Sequence, residues 1–172
     1  MQAEESVILV DENDRVQGRA GKLAVHREGA LHRAHSVLAF NARGELLLQR
    51  RAAEKYHSGG LWSNTCCGHP RPGERTEAAA RRRLREEMGM RCALRPLFTF
   101  CYWVAVGDGL SEHEYLHVFA GRFEGAPSPD PREVEAWRWL PLEAIRREIA
   151  TAPERYTVWF PLILERLGAP TA

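Results

Sequence analysis

The stretch from Asn64 to Met90 constrains this chain more than any other. Asn64 to Glu74 is rich in Gly and Pro, and it runs directly into the charged segment Arg75 to Met90. Thr76 suits an N-cap, Glu77 suits a first turn, and Gly89 suits the left-handed residue that closes a helix. The spacing therefore predicts a helix over Glu77–Met88. Its apolar stripe is thin, only Ala80, Leu84 and Met88, whereas Ala79, Arg82, Arg83, Glu86 and Glu87 recur on a neighbouring arc. Ion pairs such as Arg82 with Glu86 are the ordinary use of such an arc on a solvated helix. The loop ahead of it, carrying Cys66, Cys67 and His69, points instead to a ligand.

The rest of the chain sets the class. With 172 residues and 44% hydrophobic content, it is long enough for one well-filled core and short for two, so residues 1–172 read as a single soluble domain. Twenty-four basic residues stand against twenty-three acidic ones, a net charge of +1. That balance gives no field for nucleic acid or an anionic membrane, and any anion selectivity must be local. No basic leader precedes an apolar run, and nothing reaches membrane-spanning length, which favours the cytoplasm. Cys66, Cys67, Cys92 and Cys101 read as reduced thiols, because neighbouring Cys66 and Cys67 have poor geometry for a disulfide. They contain no Cys-x-x-Cys motif of a structural zinc site.

Along the chain, residues 7–10 read as a strand and 11–14 as a turn returning toward Val16. Residues 22–35 read as irregular and contain His26, His32 and His35. Residues 36–40, 41–44 and 45–49 read as strand, turn and strand, followed by Arg50, Arg51 and Lys55. Residues 93–106 hold a strand rich in aromatic and β-branched residues, with residues 112–123 as its partner. In that partner Glu112, Glu114, Leu116 and Val118 share a face, the two carboxylates about 7 Å apart at Cα, and His113 and His117 point the other way. Residues 125–131 form a loop, 135–140 a strand, 142–149 a helix and 156–167 a last helix carrying Trp159. The order is mixed α/β, with one helix set between sheets.

Taken together, His26, His32, His69, Glu112 and Glu114 offer three imidazoles and two carboxylates, a donor set suited to Mn²⁺, Fe²⁺ or Zn²⁺ and less natural for Mg²⁺. The pattern from Gly68 through Glu74, Arg82, Leu84, Glu86 and Glu87 to Gly89 resembles the Nudix box of diphosphate-handling enzymes. It differs where that family has Glu directly after the Arg and this chain has Arg83. With Asn64 to Pro70 and Glu112-x-Glu114, the chain resembles type I isopentenyl diphosphate isomerase over about residues 7–167. The resemblance implies a Nudix fold, a β-sheet core flanked by helices. It implies a tightly bound Mn²⁺ or Zn²⁺ at the five donors, and an isoprenoid diphosphate substrate handled by a monomer or weak oligomer. It also implies proton transfer through a tertiary carbocation by Cys67 and Glu114, assisted by Tyr102.

The same resemblance gives Lys22, Arg51, Lys55 and Arg83 to the diphosphate, and Trp159 to the positive centre. It gives Glu87 and the Cys67 main-chain oxygen to a Mg²⁺ that accompanies the diphosphate. Cys67 beside a ligand residue reads as a thiolate-favouring position, whereas the usual fate of a free cysteine is packing. Two other functions fit parts of the pattern: a Nudix diphosphohydrolase acting on a nucleotide-like substrate, and a noncatalytic binding module. Arg83 argues against the first, and the joint presence of Cys67, His69 and the glutamate pair argues against the second.

Overall fold

The computed structural model describes residues 5–168. The strands are β1 (Ser6–Val10), β2 (Val16–Gly21), β3 (His32–Phe40), β4 (Leu46–Arg51), β5 (Trp62–Ser63), β6 (Cys66–Gly68), β7 (Leu94–Gly107), β8 (Leu110–Arg122) and β9 (Val134–Leu140). The helices are α1 (Lys22–Glu28), α2 (Thr76–Met88), α3 (Leu142–Thr151) and α4 (Phe160–Leu167). Nine described strands join in one branched, mixed sheet rather than in separate sheets. β3 is its junction, antiparallel to β1, β4 and β6 and parallel to β8.

Alternate residues of β3 serve two cores, as strand geometry requires. Ala34 and Leu38 pack with Leu46, Leu48, Leu116 and Val118 under the α3 and α4 residues Ile145, Phe160, Ile163 and Leu164. Val37 and Ala39 face α2, where Ala80, Leu84 and Met88 meet Leu47, Cys66, Leu94 and Phe119. The thin stripe of α2 is thus its core face. Ala79 is also fully buried and leaves the charged arc.

Strand register then assembles the chemistry. His32 lies opposite Glu114 across the parallel β3–β8 pair, and Tyr102 lies opposite Glu114 across the β7–β8 hairpin. Ser36, on the same face of β3 as His32, lies opposite Cys67 of β6.

Three local expectations need correction. Residues 22–35 are not irregular: 22–28 form α1, which Gly29, at φ 68°, closes by returning its N–H to the Val25 carbonyl, and His32 to His35 already belong to β3. Thr76 is the first residue of α2 and Arg75 its extended N-cap, without a side-chain cap bond. The turn over Arg71–Glu74, closed by Glu74 N–H to Arg71 O at 2.8 Å, brings the chain into helix one residue early. The last helix begins at Phe160, so Trp159 is its N-cap residue and not within it. Ahead of it, Thr157 donates its N–H to Trp62 O at 2.9 Å and pairs its hydroxyl with Ser63, which holds the segment extended.

Candidate active site

Three short elements carry the imidazoles inward. His26 sits in the last turn of α1 and bonds through Nδ1 to the Lys22 carbonyl at 2.6 Å. His32, at the start of β3, bonds through Nδ1 to Ala30 O at 2.9 Å. A carbonyl only accepts, so each Nδ1 carries the hydrogen and each Nε2 offers its lone pair when the ring is neutral. His69 follows β6, with its Nε2 3.2 Å from His32 Nε2 and 3.2 Å from Glu114 Oε1. His26, His32, His69 and Glu112 are all buried, and their ligand atoms lie within 4.8 Å of one another. Glu114 joins from β8, with Oε1 3.8 Å from His32 Nε2.

This donor set fits a divalent ion. Two imidazole nitrogens facing at 3.2 Å make poor partners for each other, and His69 Nδ1 is buried without a hydrogen-bond partner among the described residues. Burial pushes His32 down to about 4 and His69 well below the usual imidazole range, so both rings are neutral at neutral pH. Burial also pulls on His26, but Glu112 at 2.9 Å and the Lys22 carbonyl outweigh it and raise its pKa.

The two glutamates are driven apart. Burial disfavours charge on both, yet hydrogen bonds from His26 and His57 hold Glu112 well below the usual carboxylate range. Burial and then the neighbouring Glu112 charge push Glu114 well above it. The Tyr102 phenol donates to Glu114 Oε2 at 2.7 Å, and burial keeps that phenol neutral.

Cys67 is a protonated thiol, contrary to the thiolate reading. Burial pushes it up to about 11, against the opposing hydrogen bonds of Ser36 and Asn64. Its Sγ lies 3.2 Å from Ser36 Oγ and 3.3 Å from Asn64 Oδ1. The Asn64 amide nitrogen is occupied by Val37 O and Cys66 O, which turns its oxygen toward the thiol. Cys66, on the other face of β6, is fully buried in the α2 core.

Cys67, His69, Glu112 and Trp159 line a narrow cavity whose other walls include Lys22, Arg51, Lys55, Arg83 and Glu87. His26, His32 and Glu114 do not line it but bond to Glu112 and His69, which do, and Tyr102 bonds to Glu114. Three of the cations are already paired: Lys22 with Glu5 at 3.0 Å, Lys55 with Glu133 at 2.5 Å, and Arg83 with Glu87 at 2.6 Å. Arg51 has no carboxylate partner among the described residues. It donates to His57 O at 3.2 Å and lies over the Trp159 ring at 5.5 Å. Its neighbour Arg50 points away, to Glu135 at 2.7 Å. The cavity, about 50 Å³, is far below the roughly 300–1,000 Å³ of a formed ligand pocket.

Histidines outside the set have structural partners or none. His113 bonds to Gly29 O and His117 to Asp14, both at 2.8 Å on the opposite face of β8. His35 is fully buried and neutral. Sequence reasoning missed His57, Tyr56, Glu133, Ser36 and Glu5. Only the Ser58-Gly59-Gly60 turn after His57 was a visible signal, since every other contact is long-range.

On the helix that carries Arg83, Arg82 clamps Glu74 through two hydrogen bonds at 2.8 and 2.9 Å, fixing the loop to α2. This loop-and-helix unit under a mixed sheet defines a NUDIX-domain protein, and the NUDIX domain family matches residues 30–160. Among solved structures, the Deinococcus radiodurans protein DR0079 superposes with a TM-score of 0.81 at 24% identity, covering 96% of this chain and 100% of that one. A MutT protein from Methanosarcina mazei gives 0.64 at 22% identity, over 79% and 91%. Those likenesses concern the fold. Sequence relatives go further: the isopentenyl-diphosphate Delta-isomerase of Burkholderia multivorans is 52% identical over 97% of this chain and 95% of its own length. Isopentenyl-diphosphate Delta-isomerase 2 of Aromatoleum aromaticum is 52% identical over 95% and 87%. The chain belongs to the isopentenyl-diphosphate Delta-isomerase family.

Proposed function

We propose that this protein interconverts isopentenyl diphosphate and dimethylallyl diphosphate, in the supply of isoprenoid precursors. The observation that carries the reading is the convergence of a protonated thiol, a buried His/Glu cluster and a ring of cations on one cavity. In the forward direction a proton adds to the terminal methylene carbon, C4, and the positive charge falls on the tertiary carbon, C3. Loss of a proton from C2 then leaves the new double bond, with the diphosphate intact. Such chemistry needs two proton-transferring groups and a wall that tolerates a cation.

Cys67 and Glu114 are the two groups. Cys67 holds its proton against Ser36 and Asn64, and Tyr102 steers the Glu114 carboxyl by donating to Oε2. Trp159 offers an aromatic face at the cavity, a contact worth about 2 kcal/mol or more with a desolvated cation. His26, His32, His69, Glu112 and Glu114 would hold a tight Mn²⁺ or Zn²⁺, which when bound favours the ionised form of both glutamates. Lys22, Arg51, Lys55 and Arg83 bind the diphosphate, and Glu87 with the Cys67 main-chain oxygen serves the accompanying Mg²⁺. The reading is of one catalytic domain acting in the cytoplasm on a small molecule. The described residues contain no helix long and apolar enough to cross a membrane.

Arg83 distinguishes this reading from diphosphate hydrolysis. It places a cation on α2, bonded to Glu86, Glu87 and Glu133 at 2.8, 2.6 and 3.3 Å, where the hydrolytic pattern has an acid. Incubating the purified protein with isopentenyl diphosphate and Mg²⁺, followed by proton and phosphorus NMR, tests the function. Allylic methyl signals with no released phosphate are expected. Released phosphate without allylic product would transfer the assignment to the hydrolase.

A further inference from the structure

His57 is buried in the wall of the cavity, outside the five-donor set, and three local features converge on it. Its Nε2 lies 3.0 Å from Glu112 Oε1, while the other oxygen of Glu112 faces His26 at 2.9 Å. Because a carboxylate only accepts, His57 Nε2 carries the hydrogen; its Nδ1 then accepts from the Ser58 hydroxyl at 3.0 Å. The ring also stands edge-on to Trp159, with centroids 5.7 Å apart and planes at 87°. One side chain thus touches both the metal-binding end of the cavity and its aromatic wall.

The loop that presents His57 is built at a cost. Ser58 adopts φ 55°, a left-handed conformation that a non-glycine residue reaches only with strain. A Cβ at Gly59 would stand 2.4 Å from Ala53 O, so only glycine lets the chain close there. The same tight loop carries Lys55, held by Glu133, and Tyr56, whose hydroxyl lies 3.5 Å from His26. Such strain persists when the surrounding contacts over-determine it.

We propose that His57 is a positioning residue for the metal-binding end: by donating to Glu112 Oε1 it fixes that carboxylate, leaving Oε2 directed at the imidazole cluster. The proposal rests on the metal-site reading above. His57 acts through Glu112 and is not itself a ligand; outer groups of this kind typically govern metal affinity by 10- to 100-fold.

Mn²⁺ binding, measured on chelator-stripped protein without substrate, tests it. His57→Phe keeps a flat ring against Trp159 and deletes the N–H, and should weaken Mn²⁺ binding by about 10- to 100-fold. His57→Gln, which restores an N–H, should recover much of that loss, and excess Mn²⁺ should restore turnover to the Phe variant. Should His57→Phe fold poorly, His57→Leu, smaller and equally without an N–H, carries the same measurement. A lower metal-free melting temperature with wild-type Mn²⁺ affinity would make His57 a packing residue and overturn the proposal. His26→Ala separates the two levels. If it loses Mn²⁺ while the His57 variants keep it, the proposal fails and the metal site stands. If His26→Ala binds as tightly as wild type, the metal-site reading itself has failed.

Discussion

At the metal-binding end of the cavity, His26 and His32 are locked by the main-chain carbonyls of Lys22 and Ala30. At the end proposed for the diphosphate, Lys22, Lys55 and Arg83 are held by the carboxylates of Glu5, Glu133 and Glu87. The first arrangement uses partners that no ligand displaces, so its geometry is set before anything binds. The second uses side-chain carboxylates as partners, which the anionic oxygens of the proposed diphosphate substrate could replace. On the proposed reading, fixed geometry would serve the end that holds the metal, and exchangeable pairing the end that holds the diphosphate. Lys22 belongs to both, its carbonyl fixing His26 while its ammonium faces Glu5.

Substitutions should separate the two ends. The largest effect belongs to the imidazoles: His69→Ala should leave the protein without tightly bound metal after dialysis against a chelator, and without measurable turnover. Undiminished metal by elemental analysis in the His26, His32 and His69 single variants would break the comparison at its first side. Next, Cys67→Ala should lower turnover by about 10²- to 10⁴-fold while metal content stays at the wild-type level. Cys66→Ala should cost far less turnover, since its thiol faces the α2 core; equal, mild effects of the two would make Cys67 a packing residue.

At the other end, Arg83→Glu replaces attraction by repulsion. Loss of a charge-assisted contact of about 1.5–3 kcal/mol corresponds to a KM raised roughly 10- to 150-fold. Steady-state kinetics with unchanged KM would remove Arg83 from diphosphate binding. The smallest effect lies outside the cavity. Arg82 first, with the Arg71 main chain, holds Glu74 down to about 2 against its ordinary 4.5. A depressed carboxylate contributes stability that is complete above its unfolded pKa and is lost as pH falls through about 2. The Glu74 side chain is partly exposed and its pair with Arg82 lies at the protein surface, so this contribution is under about 1 kcal/mol. Acid unfolding of Glu74→Gln should lack that part of the slope below about pH 4.5, and its KM should not change.

Much of this was legible in the sequence. The apolar stripe of α2 and the shared face of Glu112 and Glu114 follow from periodicities of 3.6 and 2, the Gly89 terminus from glycine's freedom to turn left-handed, and the structure has all three. α1 was not legible because seven residues are too few for an isolated helix to be stable in water. It is held by tertiary contacts, including His26 to Glu112, 86 residues away. The start of α4 did have a signal: Pro161 belongs in a first helical turn, which places the start near Phe160 rather than Tyr156. The thiol state of Cys67 was misread because the sequence displays neighbouring charge but hides burial, and burial dominates here. The contacts of Ser36 and His57 were not legible because they depend on strand register and on one strained loop, whose Ser58-Gly59-Gly60 turn was the one trace in the sequence.

The separation of the two ends is tested most directly by deuterium uptake. Isopentenyl diphosphate is titrated in D₂O with Mg²⁺ against wild-type, Cys67→Ala and Arg83→Ala proteins, and carbon-bound deuterium is followed by NMR. The account predicts that Arg83→Ala approaches the wild-type rate once substrate is raised far enough, whereas Cys67→Ala stays slow at every concentration. The diphosphate should remain intact in all three. An Arg83→Ala protein that saturates at a greatly reduced rate, or a Cys67→Ala protein whose rate recovers at high substrate, would contradict the division between an end that moves protons and an end that holds the diphosphate.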